Sequence, residues 1–326
     1  MNTIPQHILD ALEQWNEYIL IGHREPDGDC TSSGLALSWF LERRGKTCHL
    51  VSPGPFQRPE LNALSAHFAA HVPKNINRDN TAVIILDCST LERIDYIAEE
   101  IEGLPVIVID HHSSGSSFGD HRFIDDTAPS VTFMILHIIE AAGFKPTEDE
   151  AQILLFGLAT DTGFFRHLGA HSPKTFEAVA RLSAAGANPN KIHRQMYGGR
   201  PLESKQLLGL LMHRARQYAN GKVLITYETL KEQQQYGIEN RDSDSLYQQL
   251  QSIEGCEAVA LIREEKPGEC SIGLRSNFYV DVGKIALELG GGGHARAAGL
   301  TWQGSREAAE QRILPLLEAA VHTVQL

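Results

Sequence analysis

The first half of the chain concentrates aspartate and histidine residues in four short segments. These residues are His23, Asp27, Asp29, Asp87, Asp110, His111, His112 and Asp161. Carboxylate and imidazole ligands, with no cysteine in the segment motifs, suit Mn²⁺, Mg²⁺ or Co²⁺ better than zinc. Two such ions held about 3.5–4 Å apart activate a water molecule and neutralise phosphoryl oxygens. The pattern therefore predicts a two-metal site for the hydrolysis of a phosphate ester.

Three of these segments follow short apolar runs that are typical of buried strands. The runs are Tyr18–Gly22, Ala82–Leu86 and Val106–Ile109, and a polar segment begins at the residue after each. Nearly continuous aliphatic strands of this kind indicate a parallel sheet that is covered on both faces. Ligands bind beyond the carboxyl ends of such strands. We therefore expect the polar segments to meet at one edge of the sheet.

Helical patterns alternate with these strands, which predicts an α/β fold with a mostly parallel sheet flanked by helices. A further strand is expected over Thr47–Val51. Helices are expected over Ser33–Arg44, Leu91–Gly103, Ser130–Ala142, Glu148–Ala159 and Pro173–Ala185. Asp161 follows the fourth helix, so it can fold over the sheet edge. A helix start near Ser32–Gly34 would direct its positive end toward a bound anion.

The strand pattern stops around Asn188–Tyr218, where we place the domain boundary. The prediction is a first domain over residues 1–190, a helical linker over 191–218 and a smaller mixed α/β domain over 219–326. We expect a cleft between the domains and hinge motion through the linker. The second domain is predicted to contain strands Lys222–Tyr227, Ala258–Arg263 and Ser271–Arg275 and helices Ser243–Ile253, Val282–Leu289 and Ser305–Val324.

A glycine-rich segment marks this second domain. Gly290–Gly293 precedes His294, and Arg275 and Ser276 lie upstream. Glycines let backbone amides approach an anion closely, and histidine and arginine supply further donors. A flexible hairpin loop is the alternative. Because Arg275 ends a predicted strand, a site for a phosphate or nucleotide is the favoured interpretation.

Composition and charge narrow the class of protein. The chain has 326 residues, of which 42% are hydrophobic and 21% charged, a balance that excludes a disordered or fibrous protein. Its apolar runs are too short to cross a bilayer, and the N-terminus does not resemble a signal peptide, so a cytoplasmic location is expected. Five scattered cysteines argue against a disulfide framework. The net charge of −12 disfavours binding to long duplex nucleic acid and fits a small anionic ligand.

The ordered set of motifs resembles that of the DHH phosphoesterases. Gly290–Gly299 with Arg275 resembles the C-terminal DHH-associated domain of the oligoribonuclease branch of that family. In length and arrangement the chain is most similar to the NrnA-type enzymes, which degrade very short RNAs and dephosphorylate 3′-phosphoadenosine 5′-phosphate. Two sequence departures, Thr31–Gly34 and Gly169–His171, leave the packing of the first motif and the substrate preference open.

The resemblance implies a role for each matching residue. His23 and Asp27 would bind one manganese ion. Asp29, His111 and Asp161 would bind the second, and Asp87 would bridge the two. Asp110 would orient His111. The catalytic set would be Asp87, His112 and Arg166, with His112 facing the substrate phosphate. The set that holds the terminal phosphate or nucleotide would be Arg275, Ser276, Gly292, Gly293 and His294.

The resemblance implies a manganese-dependent hydrolase of exonuclease type in which a hydroxide bridging the metals attacks phosphorus. Its substrates would be short RNA oligonucleotides, including linear dinucleotides, and small nucleotides, with no membrane partner. Alternatives are a manganese pyrophosphatase, a single-strand exonuclease, a cyclic-dinucleotide phosphodiesterase and a nucleotide sensor without turnover. The sequence leaves the oligomeric state open, and a homodimer is compatible with it.

Overall fold

A computed structural model describes residues 3–88, 90–112, 115–169 and 172–322. The chain divides into two compact units, Met1–Gly198 and Gly199–Leu326, which we call unit 1 and unit 2. No helix in the described ranges is long and apolar enough to cross a membrane.

Unit 1 is built on a parallel sheet, as the sequence predicts. Its strands are β1 (Glu17–Ile21), β2 (Thr47–Val51), β3 (Thr81–Leu86), β4 (Val106–Asp110) and β5 (His121–Ile124). Their order is β2-β1-β3-β4-β5, and every neighbouring pair is parallel. All six residues of β3 are buried, because this central strand is covered on both faces. The carboxyl ends of the five strands therefore form one edge.

Helices cover the two faces of this sheet. They are α1 (Gln6–Gln14), α2 (Gly28–Glu42), α3 (Asn62–Ser65), α4 (Ile97–Glu100), α5 (Val131–Ala141), α6 (Glu148–Asp161), α7 (Pro173–Ala184) and α8 (Pro189–Tyr197). Leu20 and Ile84 pack into the core formed with α1, α2, α5 and α6. Their neighbours Ile21 and Ile85 pack into the opposite core, which includes residues of α4. This alternation is the period-2 burial of strands covered on both sides.

Two predicted helices differ from the structure. Helix α2 begins at Gly28 rather than at Ser33, because the Asp27 carboxylate accepts a hydrogen bond from the Cys30 amide at 3.0 Å and caps the helix. The predicted helix Leu91–Gly103 is instead a 3₁₀ turn, Leu91–Ile94, followed by the short α4. Asp95 separates these pieces with a φ of +55°, which no right-handed helix can include.

Helices α2 and α6 approach each other closely because small residues line their contact. A Cβ atom on Gly28 would overlap the side chain of Thr160. A Cβ atom on Gly157 would overlap Thr132 and would lie 2.9 Å from the Cβ atom of Ser32. This close packing brings the last turn of α6 against the first turn of α2.

Unit 2 contains a mixed sheet, which completes the predicted two-domain α/β fold. Its strands are β6 (Arg216–Tyr218), β7 (Val223–Glu228), β8 (Ala258–Lys266), β9 (Glu269–Ser276), β10 (Gly292–His294) and β11 (Ala297–Gln303). The order is β10-β11-β9-β8-β7-β6, and of these pairs β7–β8 is parallel. The helices are α9 (Leu202–Arg214), α10 (Leu230–Tyr236), α11 (Ser243–Gln251), α12 (Val282–Glu288) and α13 (Arg306–His322).

The glycine-rich segment forms an edge strand rather than a flexible loop. Gly292–His294 pairs antiparallel with β11. A Cβ atom on Gly291 would overlap Gly299 and Leu300, and one on Gly293 would overlap the backbone of β11. Both glycines therefore allow the two strands to approach, whereas the space beside Gly292 is open.

Candidate metal centre

Three strand ends of unit 1 deliver the first group of polar residues to one place. His23 follows β1, Asp87 follows β3, and His111 follows β4. The Asp87 carboxylate lies between the two histidines: Oδ2 is 3.6 Å from Nε2 of His23, and Oδ1 is 3.6 Å from Nε2 of His111. Asp87 reaches this position with a φ of +55°, a conformation that aspartate and asparagine tolerate better than most residues.

The first turn of α2 contributes two further carboxylates. Asp27 directs its Oδ2 to within 4.0 Å of Nε2 of His23 while its other oxygen caps the helix. Asp29 is buried, and its oxygens accept hydrogen bonds from the amides of Val131 and Thr132 at 2.6 and 2.9 Å. Asp29 therefore also anchors the start of α5.

Asp161 enters the cluster from the opposite direction, at the end of α6. Its Oδ2 lies 3.5 Å from Nε2 of His111. One ligand atom each from Asp29, His111 and Asp161 lie within 4.8 Å of one another. The close packing of α2 and α6 produces this convergence across more than a hundred residues of sequence.

Backbone carbonyl oxygens orient the rings of His23 and His111. Nδ1 of His23 lies 2.7 Å from the carbonyl oxygen of Arg24, and Nδ1 of His111 lies 3.2 Å from that of Ala128. A carbonyl oxygen only accepts, so each Nδ1 carries a proton, and in the neutral imidazole each Nε2 then presents a lone pair. These lone pairs face carboxylate oxygens, which present lone pairs as well. A cation between them would satisfy both.

The electrostatics of the aspartates lead to the same conclusion. Oδ1 of Asp87 is buried and has no hydrogen-bond partner among the described residues. Burial raises the pKa of Asp87 well above its usual range, and the charges of Asp29, Asp27 and Asp161 add to the effect. Burial, followed by the charges of Asp29 and Asp27, raises the pKa of Asp161 to about 8. Divalent cations would relieve this repulsion, so the residues fit a metal site.

The predicted ligands thus lie together in unit 1. Two histidine nitrogens and the carboxylates of four aspartates face a common space around Asp87. These residues are His23, Asp27, Asp29, Asp87, His111 and Asp161. Their division between two ions stays a prediction.

The structure corrects the role expected for Asp110. Its Oδ1 lies 2.8 Å from Nδ1 of His112, whereas the ring of His111 is held by the Ala128 carbonyl. The Asp110 carboxylate also accepts the backbone amide of His111 at 2.7 Å. Its hydrogen bond to His112 raises the pKa of that imidazole. Asp110 therefore orients His112, because the chain turns sharply after β4 and brings the second ring back over the carboxylate.

Sequence reasoning missed Cys30 and two arginines near this cluster. Sγ of Cys30 lies within 4.8 Å of ligand atoms of His23 and Asp87, and its place directly after Asp29 was the available signal. Burial lowers the pKa of His23, and the positive charge of Arg93 adds to this effect. Burial raises the pKa of Asp161, and the positive charge of Arg58 partly offsets this rise. Neither arginine belongs to a recognisable motif.

Arg166 stands apart from the described contacts of the cluster. Its side chain is exposed, and its Nη2 lies 3.2 Å from Nε2 of His167. It follows a turn in which Gly163, Phe164 and Phe165 all have positive φ. Its catalytic role stays a prediction. The nearby departure Gly169–His171 lies partly outside the described residues, because 170 and 171 are not among them.

The predicted substrate residues of unit 2 lie on two strands, β9 and β10, with β11 between them. Ala297 of β11 pairs with Arg275 on one side and with His294 on the other. The Arg275 guanidinium packs over the ring of Tyr247, with its central carbon 4.5 Å from the ring centroid. His294 is exposed, as are Gly292 and Gly293. This end of the sheet thus presents two basic side chains and the accessible backbone of its edge strand.

Ser276 differs from these residues because its hydroxyl is buried. It donates a hydrogen bond to the carbonyl oxygen of Val280 at 2.6 Å. The structure therefore shows Ser276 holding the following loop, and a direct contact with substrate stays a prediction.

Each unit of the chain matches a domain found in known proteins. Residues 17–158 match the DHH family, N-terminal domain, and residues 220–323 match the DHHA1 domain. A bifunctional oligoribonuclease and PAP phosphatase NrnA from Thermus thermophilus is 28% identical over 90% of this chain and 86% of its own length. The protein of the same name from Bacillus subtilis is 26% identical over 95% of this chain and 96% of its own.

A solved structure supports the fold. An exopolyphosphatase-related protein from Bacteroides fragilis superimposes with a TM-score of 0.82 at 20% identity, covering 100% of both chains. The two family matches coincide with the unit that carries the metal-type cluster and with the unit that carries the glycine-rich strand. The chain therefore belongs to the DHH phosphoesterases that carry a C-terminal DHHA1 domain.

Proposed function

We propose that this protein is a manganese-dependent phosphoesterase that hydrolyses short oligoribonucleotides, including linear dinucleotides, to mononucleotides. The proposal includes hydrolysis of 3′-phosphoadenosine 5′-phosphate to AMP. The observation that carries it is the buried Asp87 carboxylate, which lies between the Nε2 atoms of His23 and His111. The substrate class is supported by the Thermus and Bacillus relatives, which are oligoribonucleases and PAP phosphatases.

The cluster around Asp87 would hold two divalent ions. In the proposed division, His23 and Asp27 would hold one ion, Asp29, His111 and Asp161 would hold the other, and Asp87 would contribute to both. Bound ions would supply an activated water and positive charge for the phosphoryl oxygens. Imidazole and carboxylate ligands favour Mn²⁺, with Mg²⁺ and Co²⁺ as the other candidates.

His112 is the residue of this site best placed to handle a proton. Asp110 holds its Nδ1, so Nε2 is left for the substrate. The raised pKa favours the imidazolium form near neutral pH. The Nε2–H group would donate to a phosphoryl oxygen or to the leaving oxygen, which stabilises the charge that develops on it.

Unit 2 would bind the part of the substrate that does not react. Arg275 and His294 would contact a phosphate, and the open space at Gly292 leaves backbone amides accessible to it. The net charge of −12 favours a substrate with few phosphates, because each additional one is repelled by the protein as a whole.

A single assay tests the proposal. Wild-type protein with Mn²⁺, with and without chelator, is offered a 5′-phosphorylated RNA dinucleotide, a long single-stranded RNA, 3′-phosphoadenosine 5′-phosphate and pyrophosphate. We expect chelator-sensitive release of mononucleotide from the dinucleotide and of phosphate from the bisphosphorylated adenosine. Asp87→Asn should abolish both reactions.

The other outcomes would contradict the proposal in distinguishable ways. Turnover of pyrophosphate alone would indicate a pyrophosphatase. Preferential degradation of the long RNA would indicate a single-strand exonuclease. Nucleotide binding without any product would indicate a sensor.

A further inference from the structure

The loop that joins β9 to α12 has a tightly held backbone. The carboxylate of Glu257, a side chain only 2% exposed, accepts the amides of Phe278, Tyr279 and Val280 at 3.2, 2.8 and 2.8 Å. The Asn277 side chain donates to the carbonyl oxygens of Gln251 and Cys256 at 2.9 and 2.8 Å. Successive residues of the loop are thus fixed from one side by buried polar groups.

Arg296 holds the same loop from the other side. Its guanidinium donates to the carbonyl oxygen of Val280 at 3.1 Å and to that of Phe278. The Val282 amide donates to the carbonyl oxygen of Ala295 at 3.0 Å. The loop is therefore joined directly to the segment that follows the glycine-rich strand.

This fixed loop presents one aromatic side chain to solvent. Phe278 is 74% exposed, whereas Val280 is buried and the hydroxyl of Tyr279 donates to the carbonyl oxygen of Val321 at 3.3 Å. Burying a phenylalanine stabilises a fold by about 1.5–3 kcal/mol, so packing alone does not explain an exposed ring on an ordered loop. A ligand that covers the ring does explain it.

The position of Phe278 in the chain indicates what kind of ligand would cover its ring. It follows Arg275 and Ser276 by two to three residues, and the arginine that clamps its carbonyl oxygen is two residues beyond His294. The backbone of Phe278 is therefore held next to the two segments that carry the groups proposed to bind a substrate phosphate. In a nucleotide, the flat apolar partner attached to a phosphorylated ribose is the base.

We propose that the ring of Phe278 is a stacking platform for a nucleobase of the substrate, an inference that rests on the proposed function. Stacking a base on an aromatic side chain strengthens binding by about 5- to 150-fold, and all bases offer a suitable face. The platform would let the enzyme accept short RNAs of any sequence while rejecting phosphate esters that lack a base. A ring on a fixed backbone also loses little conformational entropy when it stacks.

The first experiment compares Phe278→Ala with the wild type and with Phe278→Trp, which keeps an aromatic ring. With a 5′-phosphorylated dinucleotide we expect Phe278→Ala to raise KM about 10-fold with little change in kcat, and Phe278→Trp to stay near wild type. Leu287→Ala is the matched control, because Leu287 is 70% exposed on α12 of the same unit. It should leave KM unchanged.

The second experiment measures binding without turnover. Fluorescence of Phe278→Trp is titrated with AMP and with ribose 5-phosphate, and wild-type protein supplies the baseline for its own tryptophans. We expect AMP to quench the new tryptophan at concentrations at which ribose 5-phosphate does not. Stacking on the base explains this difference, because the two ligands share the phosphorylated ribose.

Specific outcomes would overturn the inference. An unchanged KM for Phe278→Ala would do so, as would an equal rise for Leu287→Ala or equal quenching by the two ligands. A variant that changes the oligomeric state but not KM would show that Phe278 contacts another protein copy. If wild-type protein fails to hydrolyse the dinucleotide, the proposed function is wrong, and the AMP titration still decides whether the ring binds a base.

Discussion

Replacing Asp87 with asparagine should stabilise the metal-free protein and remove its response to Mn²⁺. Asp87 is 2% exposed, its Oδ1 has no partner among the described residues, and neighbouring aspartates repel its charge. Asparagine keeps the shape, tolerates the φ of +55° and supplies an N–H donor that faces Nε2 of a neutral His23 or His111. At a pH at which Asp87 is ionised, the substitution therefore removes a repulsion and adds a hydrogen bond.

Compared with the wild type, Asp87→Asn should therefore be more stable in chelator and less stable in saturating Mn²⁺. One additional hydrogen bond contributes about 1 kcal/mol, which corresponds to a rise of about 2–4 °C in the Tm of a domain the size of unit 1. Mn²⁺ at 100 times its Kd stabilises the wild type by about 2.7 kcal/mol, or roughly 5–10 °C. In Asp87→Asn that second increment should vanish.

Thermal unfolding followed by circular dichroism measures both effects, once in chelator and once across a Mn²⁺ titration. Asp95→Asn is the matched control, because Asp95 also has a φ of +55° but has an exposed carboxylate outside the cluster. The control should respond to Mn²⁺ as the wild type does.

Two results would refute the reasoning. A Mn²⁺-dependent rise in Tm that survives in Asp87→Asn would show that Asp87 does not hold the ions. A clear loss of stability in chelator would show that the carboxylate is satisfied in the metal-free protein.

Three further substitutions test other parts of the structure. Asp110→Asn should lower kcat about 10- to 100-fold while Mn²⁺ affinity, measured by calorimetry, stays near wild type, since this carboxylate orients a ring rather than an ion; an equal loss of affinity would contradict that role. Arg43→Ala should lower the free energy of unfolding, measured in urea, by about 3 kcal/mol, because it leaves the buried carboxylate of Glu150 without the guanidinium that binds it at 2.8 Å. A change smaller than about 0.5 kcal/mol, the size typical of a surface substitution, would contradict this expectation. Gly157→Ala should lower the free energy of unfolding by about 1–3 kcal/mol and weaken Mn²⁺ binding, because the added methyl group would separate α2 from α6. Gly209→Ala in α9 has open space beside it and should raise the free energy of unfolding by about 1 kcal/mol. Similar effects of the two substitutions would exclude the steric explanation.

The chain pattern alone was sufficient to predict four of the five strands of unit 1 and the edge at which its polar residues meet, whereas β5 was not predicted. Aliphatic runs such as Ala82–Leu86 are buried on both faces, and a strand with that burial has few alternatives to the centre of a parallel sheet. The residue after each run is then necessarily near the same edge. Local chemistry likewise predicted the end of α6 close to Asp161, although it misplaced the start of α2 by five residues.

Contacts between distant segments decided the remaining features. Sequence adjacency suggested that Asp110 serves His111, but the carbonyl of Ala128 occupies that ring and leaves the carboxylate to His112. The glycine-rich segment resembles a loop in sequence, yet it pairs as a strand because glycines permit close approach to β11.

The exposure of Phe278 has the same origin. Its amide is held by Glu257 and its carbonyl oxygen by Arg296, and both residues are distant in sequence. Periodicity and capping act over a few residues, so the sequence determined most elements of unit 1 and where their polar ends lie. The partner of each side chain depends on which distant elements pack against it, and only the tertiary structure decided that.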